Sequence, residues 1–298
     1  MTQETIRIGT LAGRGAQTAE YIRQILPHGF ESFQINFWQT LGGVDLKKLA
    51  AEVRQVLAGS GAVVSSLGMY GNPLDPSAKA CAATRDGWKK LVDAAGLFGC
   101  DLVCGFAGRI PDQPIDQCMK RYAQVFGPLA KRAADKGVRI AFENCDMGGS
   151  WQRGDWNIAH GPDAWELIFD ALAADNVGLE WEPCHQMVKL IDPMPQLRKW
   201  VKHVFHVHGK DATIYRDVVR EYGVLGSKRF AFHRTPGFGD CNWTDIISAL
   251  REGGFTGSID IEGWHDPVYR DKLEMTGQVA GMEYLKRCRT TFVPNPTV

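Results

Sequence analysis

The amino-acid sequence predicts an α/β fold, a single-domain (β/α)8 barrel that spans residues 1–298. Short runs rich in Val, Ile and Phe alternate with helical patterns along the chain. These runs are almost continuously apolar, which is typical of parallel strands buried on both faces of a sheet. Eight strand–helix units in 298 residues match the size of a (β/α)8, or TIM, barrel, which is typically about 250 residues long.

The elements are predicted in chain order from the periodicity of the apolar residues. Predicted strands cover residues 6–13, 32–38, 62–70, 101–108, 138–144, 176–183, 203–209 and 258–263. Predicted helices cover residues 16–26, 44–59, 77–98, 114–135, 161–174, 193–201, 243–252 and 273–288. Asp75 and Ser77 provide capping side chains for the third helix. The long connections 146–160 and 211–242 are expected to be loops.

A doubly wound sheet is the alternative architecture for such an alternation. Its dinucleotide-binding form carries a GxGxxG turn after the first strand, whereas this chain has GTLAGRGAQ at residues 9–17. The spacing does not match, which argues against a dinucleotide site. The sequence shows no phosphate-binding loop motif and no Pro- or Ser-rich linker, so one domain is the simplest interpretation.

Composition excludes several classes of partner. Lys plus Arg and Asp plus Glu both number 34, which argues against a surface built for nucleic acid or anionic membrane. No apolar run approaches the roughly 20 residues of a membrane-spanning helix, and residues 1–10 lack the features of a secretory signal. We therefore expect a cytoplasmic protein with free, mostly buried cysteines. Both a homo-oligomer and a hetero-oligomer remain open.

Four consecutive predicted strands end on side chains that bind metal ions. Glu143 ends the fifth strand, Glu182 the sixth, His208 the seventh and Glu262 the eighth. The C-terminal ends of barrel strands form one face, so these side chains are expected to converge. Three carboxylates and one imidazole suit one fairly hard divalent cation, with Mn²⁺ favoured and Mg²⁺ or Co²⁺ as alternatives. Buried salt bridges are the competing interpretation of the carboxylates.

Two of these strands carry a second candidate ligand. Glu180 shares a side of the sixth strand with Glu182, and His206 shares a face of the seventh with His208, because side chains two residues apart point the same way. Glu182 and His208 are preferred because they lie nearer to the strand ends. His206 is expected to pack inside the barrel mouth.

These residues also carry a family resemblance. The chain resembles the xylose-isomerase-like TIM barrel superfamily of sugar (phosphate) isomerases and epimerases. The matching stretches are SLGMYGNPLDP (66–76), GFAGR (105–109), AFENC (141–145), GLEWEPCHQ (178–186), DP (192–193), FHVHGKD (205–211), HRTPGFGDCNW (233–243) and IDIEGWHDP (259–267). They span nearly the whole chain, and they are far more specific for the fold and the metal site than for the substrate.

The resemblance implies the same four metal ligands. It also implies that His185 contacts the substrate and that Arg234, before the Pro-Gly turn, holds substrate oxygens. The chain departs from the family pattern at two places. Glu182 stands where the family usually has Asp, and GWHD at 263–266 replaces the family's acidic run, so that Trp264 and His265 are expected to reshape the pocket.

The chemistry of these groups predicts a metal-dependent carbohydrate isomerase or epimerase. The metal polarises a carbonyl and stabilises the enediolate that forms when the neighbouring carbon loses its proton. Glu143 and Glu262, with His185, are the expected catalytic residues, and the two carboxylates take up and return the proton. The substrate is expected to be a small-molecule sugar or sugar derivative.

Further residues are predicted to contact that substrate. Trp38 ends the second strand and Lys210 follows the seventh, so both are expected at the mouth. The loop 146–160 carries Trp151 and is long enough to close over a sugar. The main alternative function uses the same metal site for elimination, as in a C- or O-deglycosidase that acts on a 3-keto-glycoside.

Two other classes fit the sequence less well. A DNA-repair nuclease of the endonuclease IV type needs several zinc ions, more His ligands and a basic surface, whereas this chain has eight His and no net charge. A non-catalytic binding module would keep three converging carboxylates together without a cation, which is energetically costly.

Overall fold

The structure is a closed barrel of parallel strands, which confirms the predicted fold. The computed structural model describes residues 6–291 and 293. Its strands are β1 (Arg7–Ala12), β2 (Ser32–Phe37), β3 (Val63–Met69), β4 (Leu102–Gly105), β5 (Arg139–Glu143), β6 (Val177–Trp181), β7 (Val204–Gly209), β8 (Asp211–Ile214), β9 (Ala231–Arg234) and β10 (Ser258–Ile261). Eight of them close the barrel in the order β1-β10-β7-β6-β5-β4-β3-β2.

Most of the helices follow barrel strands and pack around them, whereas α8 lies between β8 and β9 and buries no residue. They are α1 (Thr18–Ile25), α2 (Leu46–Leu57), α3 (Ala78–Phe98), α4 (Ile115–Ala134), α5 (Pro162–Leu172), α6 (Cys184–Met187), α7 (Pro193–Trp200), α8 (Arg216–Tyr222), α9 (Trp243–Glu252) and α10 (Glu274–Arg289). The eight predicted helices agree with these bounds to within a few residues. The short helices α6 and α8 were not predicted. Within the described residues, no helix has the length and apolar character needed to cross a membrane.

An aromatic cluster fixes the strand that carries the first candidate ligand. Phe142 of β5 packs edge-to-face on Phe126 and Tyr122 of α4, with ring centroids 4.8 Å and 5.7 Å apart. Trp88 of α3 completes the cluster and is fully buried. Large aromatic side chains contribute much of the apolar burial that stabilises a core. The end of β5, and with it Glu143, is therefore held against two helices.

The connection 211–242 contains a hairpin, so the expectation of a loop there was wrong. β8 and β9 pair in antiparallel fashion outside the barrel, with Asp211 opposite Arg234. The buried Asp211 carboxylate accepts hydrogen bonds from the backbone N–H of Cys241 (3.0 Å) and from Nε1 of Trp243 (3.2 Å). These two strands are short and lack a continuous apolar run, so their periodicity does not reveal them.

The cysteines agree with the prediction of free thiols. All eight side chains are unbridged, and six of them are buried. Burial raises the pKa of the Cys100 thiol to about 12, and it raises the pKa of Cys145 well above its usual range. These thiols are protonated at neutral pH and act as small apolar side chains.

Candidate metal centre at the barrel mouth

The four predicted metal ligands lie together at the C-terminal face of the barrel. Glu143 ends β5, Glu182 follows β6, His208 lies near the end of β7 and Glu262 follows β10. One potential ligand atom from each lies within 4.8 Å of the others, and all four side chains are buried. They meet because β5, β6, β7 and β10 are neighbours in the barrel.

Several atoms of this cluster have no hydrogen-bond partner among the described residues. They are both carboxylate oxygens of Glu182, Oε2 of Glu262 and Nδ1 of His208. Nδ1 of His208 lies 3.3 Å from Oε1 of Glu143 and 3.4 Å from Oε2 of Glu262. A buried polar atom without a partner costs about 1–3 kcal/mol, and more when it is charged. A cation at the centre would give these atoms a partner, so the donor set fits a divalent metal ion.

The backbone of Glu182 is held by the residue that follows Glu143. Nδ2 of Asn144 donates to the carbonyl oxygen of Glu182 at 2.9 Å, and its Oδ1 accepts from the Glu182 N–H at 2.7 Å. This pair of hydrogen bonds joins the ends of β5 and β6. It therefore fixes two of the four candidate ligands relative to each other, a role that the motif AFENC alone did not indicate.

The ammonium group of Lys210 lies within the carboxylate cluster. Its Nζ lies 2.9 Å from Oε1 of Glu262 and 3.9 Å from Oε2 of Glu182. Burial by itself would raise the pKa of Glu262, but the ammonium group of Lys210 and the neighbouring rings of His208 and His265 hold that pKa well below its usual range. The pKa of Lys210 is raised in turn, because the attraction of Glu262 outweighs its burial.

The two candidate catalytic carboxylates therefore differ in their surroundings. Burial raises the pKa of Glu143, and the neighbouring His208 only partly offsets that effect. Glu262, in contrast, is paired directly with an ammonium group. His185 completes this group, with Nε2 at 2.6 Å from Oε1 of Glu182. Burial, together with the Lys210 ammonium, holds the pKa of His185 well below its usual range, so its ring is neutral.

A second polar network lies beneath the four candidate ligands, in the barrel interior. Glu180 accepts hydrogen bonds from Nε2 of Gln34 and from the Tyr70 hydroxyl (2.8 Å). His206 lies between two carboxylates, with Nδ1 3.0 Å from Glu180 and Nε2 2.8 Å from Asp260. The pKa of Glu180 is held far below its usual range, since neighbouring donors outweigh its burial. The prediction that His206 packs inside the barrel mouth agrees with this position.

Two cavities adjoin the cluster, and both are lined by Glu143 and Glu262. The smaller, of about 200 Å³, is largely walled by residues from the first two βα units and α10, which include Arg14, Tyr21, Asn36 and Glu274. The larger, of about 650 Å³, has a mainly apolar wall that includes Phe106, Cys145, Met147 and Val188. Trp38 and Trp264 line both cavities, and the two residues are 55% and 44% exposed.

Three of the five predicted substrate contacts line this space. Trp38 borders both cavities, and His185 and Lys210 border the larger one. Arg234 lies outside both sets of lining residues, and its Nε donates to Asp266 at 3.0 Å instead. His233, the residue before it, borders the larger cavity. Side chains alternate along a strand, so only one of two consecutive residues can point into the cavity. Here that residue is His233 and not Arg234.

Trp151 also lies outside the two cavities, because its loop is attached to the barrel. The side chain packs against the hydrophobic core. The fully buried guanidinium of Arg109 donates to the carbonyl oxygens of Ser150 (2.6 Å) and Trp151 (2.9 Å). The loop 146–160 therefore contributes other residues to the larger cavity, namely Asp146, Met147 and Gly148.

The fold and the ligand cluster together define a (β/α)8 barrel with a candidate mononuclear metal centre at its mouth. A sequence model of the family described as Xylose isomerase-like TIM barrel matches residues 22–288. The chain therefore belongs to this family, as the resemblance indicated.

The chain is similar to several known proteins, either in sequence identity or in fold. Inosose dehydratase from Clostridium tetani is 29% identical over 160 residues, which cover 52% of this chain and 50% of that protein, so the chain spans half of its length. A xylose isomerase-like TIM barrel protein from Mycobacterium smegmatis, in complex with magnesium, shares the fold with a TM-score of 0.70 at 17% identity, over 97% and 98% of the two chains. The 3-keto-D-glucoside 4-epimerase from E. coli has a TM-score of 0.69 at 16% identity, over 95% and 100% of the two chains.

Proposed function

We propose that this chain is a divalent-metal-dependent carbohydrate isomerase or epimerase that moves a proton next to a carbonyl group. The observation that carries the proposal is the set of buried, unpartnered ligand atoms shared by Glu182, His208 and Glu262. The names of similar proteins support a sugar or sugar derivative as substrate, since they include an epimerase and a dehydratase of such compounds.

The proposed cofactor is one divalent cation, held by Glu143, Glu182, His208 and Glu262. Mn²⁺ is favoured over Mg²⁺ because one of the four ligands is an imidazole, which suits transition metals, whereas Mg²⁺ is usually held by one or two carboxylates and several waters. Co²⁺ is a further alternative. When bound, the cation would polarise the substrate carbonyl as a Lewis acid.

The residues of the chain supply the proton chemistry. Glu143 and Glu262 come from the first and last of four neighbouring strands, and both border the two cavities. One carboxylate takes the proton from the carbon next to the carbonyl, and the other returns a proton. Return to the same carbon from the opposite face is epimerisation. Return to the former carbonyl carbon, with transfer of the hydroxyl proton to the former carbonyl oxygen, is isomerisation. The neutral His185, beside Lys210, is positioned to donate a hydrogen bond to a substrate oxygen.

A second candidate function is elimination from a keto-sugar, which includes cleavage of a C- or O-glycoside. The larger cavity favours it, because 650 Å³ lies within the usual range for drug-sized ligands, roughly 300–1,000 Å³, and exceeds the needs of a single sugar ring. Its apolar wall, with Phe106, Met147 and Val188, suits an apolar substituent better than sugar hydroxyls. The same proton abstraction would then expel the substituent.

A panel of free sugars, 3-keto-glycosides and inososes in D2O, followed by NMR with Mn²⁺ present, separates these functions. Deuterium incorporation with inversion or carbonyl migration supports the epimerase or isomerase. Release of water or of an aglycone supports the elimination. Activity that is unchanged after complete removal of divalent metal would contradict both candidates.

A further inference from the structure

One side chain from the far side of the barrel contacts the candidate ligand His208. Gln34 lies on β2 and is fully buried. Its Oε1 is 2.8 Å from Nε2 of His208, and its Nε2 donates to Oε1 of Glu180. β2 and β7 are separated by β1 and β10 in the barrel, so Gln34 spans the interior to reach both residues.

The orientation of the Gln34 amide follows from its second partner. An ionised carboxylate only accepts hydrogen bonds, so the NH2 group of Gln34 must face Glu180. The Tyr70 hydroxyl also donates to Glu180, at 2.8 Å, which leaves that carboxylate surrounded by donors. The amide oxygen of Gln34 must then face His208.

This orientation determines which nitrogen of His208 carries the proton. Nε2 faces two acceptors, the Gln34 oxygen at 2.8 Å and the Glu180 carboxylate at 3.1 Å, so it carries a hydrogen. A neutral imidazole has one N–H and one lone pair, so the lone pair lies on Nδ1. Nδ1 is the atom that faces Glu143 and Glu262 and lacks a hydrogen-bond partner.

We propose that Gln34 is a positioning residue for the metal centre, which holds His208 in the tautomer and ring orientation that present Nδ1 to a divalent cation. Gln34 acts through His208 and does not itself touch the cation. Residues that orient a metal-binding histidine in this way typically change metal affinity by about 10–100-fold when they are replaced. The inference rests on the proposed metal-dependent function.

The test measures Mn²⁺ affinity by chelator competition, and separately the urea stability of the metal-free protein. Gln34→Met keeps the length of the side chain and removes the acceptor, so we expect about 10–100-fold weaker Mn²⁺ binding. Gln34→Glu keeps an oxygen towards His208 and places a second carboxyl group beside Glu180. We expect it to bind Mn²⁺ at least as tightly as wild type although its metal-free form is less stable.

A matched control removes a different hydrogen bond of the interior network. Ser65 donates to Asp260, which lies beside His208 in the sheet. The side-chain contacts from Asp260 reach His208 only through His206 and Glu180. Ser65→Ala is therefore expected to lower stability while it leaves Mn²⁺ affinity unchanged. If Gln34 contributed only to folding stability, Mn²⁺ affinity would fall in each of the three variants in proportion to its loss of stability.

The possible outcomes are distinct. Weak binding in Gln34→Met with retained binding in Gln34→Glu supports the positioning role. Wild-type affinity in Gln34→Met, or equal losses in the two variants at position 34, overturns it while the metal centre stands. A wild-type protein that binds none of Mn²⁺, Co²⁺ and Mg²⁺ overturns the proposed function together with this inference. If Gln34→Met does not fold, wild-type Mn²⁺ affinity in a destabilised Gln34→Glu supports the positioning role, and weaker Mn²⁺ binding in Gln34→Glu overturns it.

Discussion

The ammonium group of Lys210 lies 2.9 Å from Oε1 of Glu262, and only 2% of the Lys210 side chain is exposed. This pair places a positive charge among the carboxylates of the candidate metal centre. Removal of one partner of a buried ion pair leaves an uncompensated charge, which usually costs about 3–5 kcal/mol. Lys210 therefore stabilises the metal-free barrel, and a bound cation is expected to share that role.

We expect Lys210→Met to lower the free energy of unfolding of the metal-free protein by about 3 kcal/mol. Saturating Mn²⁺ should recover much of this loss, because the cation replaces the missing positive charge. Urea unfolding with and without Mn²⁺ measures both effects. Lys199→Met is the matched control, since Lys199 pairs with Glu166 at 2.6 Å on the surface and such pairs contribute at most about 1 kcal/mol. Equal losses in the two variants would contradict the prediction.

Glu182→Gln should separate metal binding from stability. The carboxylate oxygens of Glu182 accept no hydrogen bond of good geometry from the described residues, although Nε2 of His185 lies 2.6 Å from Oε1. A neutral amide keeps an oxygen that can face His185 and removes a buried negative charge. We expect metal analysis to find about one equivalent of divalent ion in the wild-type protein and almost none in the variant. The metal-free variant should unfold at the same urea concentration as wild type or higher. A variant that keeps its metal would show that Glu182 is not a ligand.

Glu262→Gln should abolish exchange of the substrate's α-proton with solvent. The amide keeps the shape of the side chain but cannot accept a proton at neutral pH, so the proposed acid–base pair is incomplete. Deuterium incorporation from D2O, followed by NMR with an accepted sugar, measures the effect. Glu283→Gln, at an exposed position of α10, is the control and should exchange at the wild-type rate. Undiminished exchange in Glu262→Gln would assign the base to another residue.

The two exposed tryptophans and Trp151 should differ in substrate binding. Trp38 and Trp264 border both cavities, whereas Trp151 packs against the core. We expect Trp38→Ala and Trp264→Ala each to weaken substrate binding by about two- to tenfold, which corresponds to an aromatic contact worth roughly 0.5–1.5 kcal/mol. Trp151→Phe should bind substrate like wild type and lower stability. Steady-state KM values and thermal unfolding of the three variants test this contrast.

The acid stability of the protein should depend on Asp266. Burial alone would raise the pKa of this carboxyl group, but hydrogen bonds from the backbone N–H groups of Tyr269, Thr235 and Val268 and from Arg234 lower it. Because the folded pKa is depressed, the stabilisation is fully present above the unfolded value of about 3.9 and is lost as the pH falls through the folded pKa. Asp266→Asn should therefore destabilise the protein at pH 7, with a difference that shrinks in acid. A difference independent of pH would contradict this role.

The sequence was sufficient to predict the barrel fold and to identify the four candidate ligands. Strands and helices can be predicted because each has its own spacing of apolar residues, which is a local property of the sequence. Buried parallel strands are especially clear because they are almost continuously apolar. The topology of a (β/α)8 barrel then places consecutive strand ends side by side, so the sequence predicts Glu143 and Glu262 at one face. The hairpin β8–β9 was missed because its strands are short and are held by the buried carboxylate of Asp211.

The tertiary structure decided which polar side chains complete the site. Gln34 in β2 reaches His208 across the barrel, and Arg109 attaches the loop that carries Trp151 to the barrel. Such contacts join residues that are far apart in the chain, and hydrogen bonds depend on distance and direction that spacing in the sequence does not specify. The sequence by itself determined the fold and which strand ends converge. Only the folded barrel determined which atoms are left without partners, and those atoms indicate where a cation would bind.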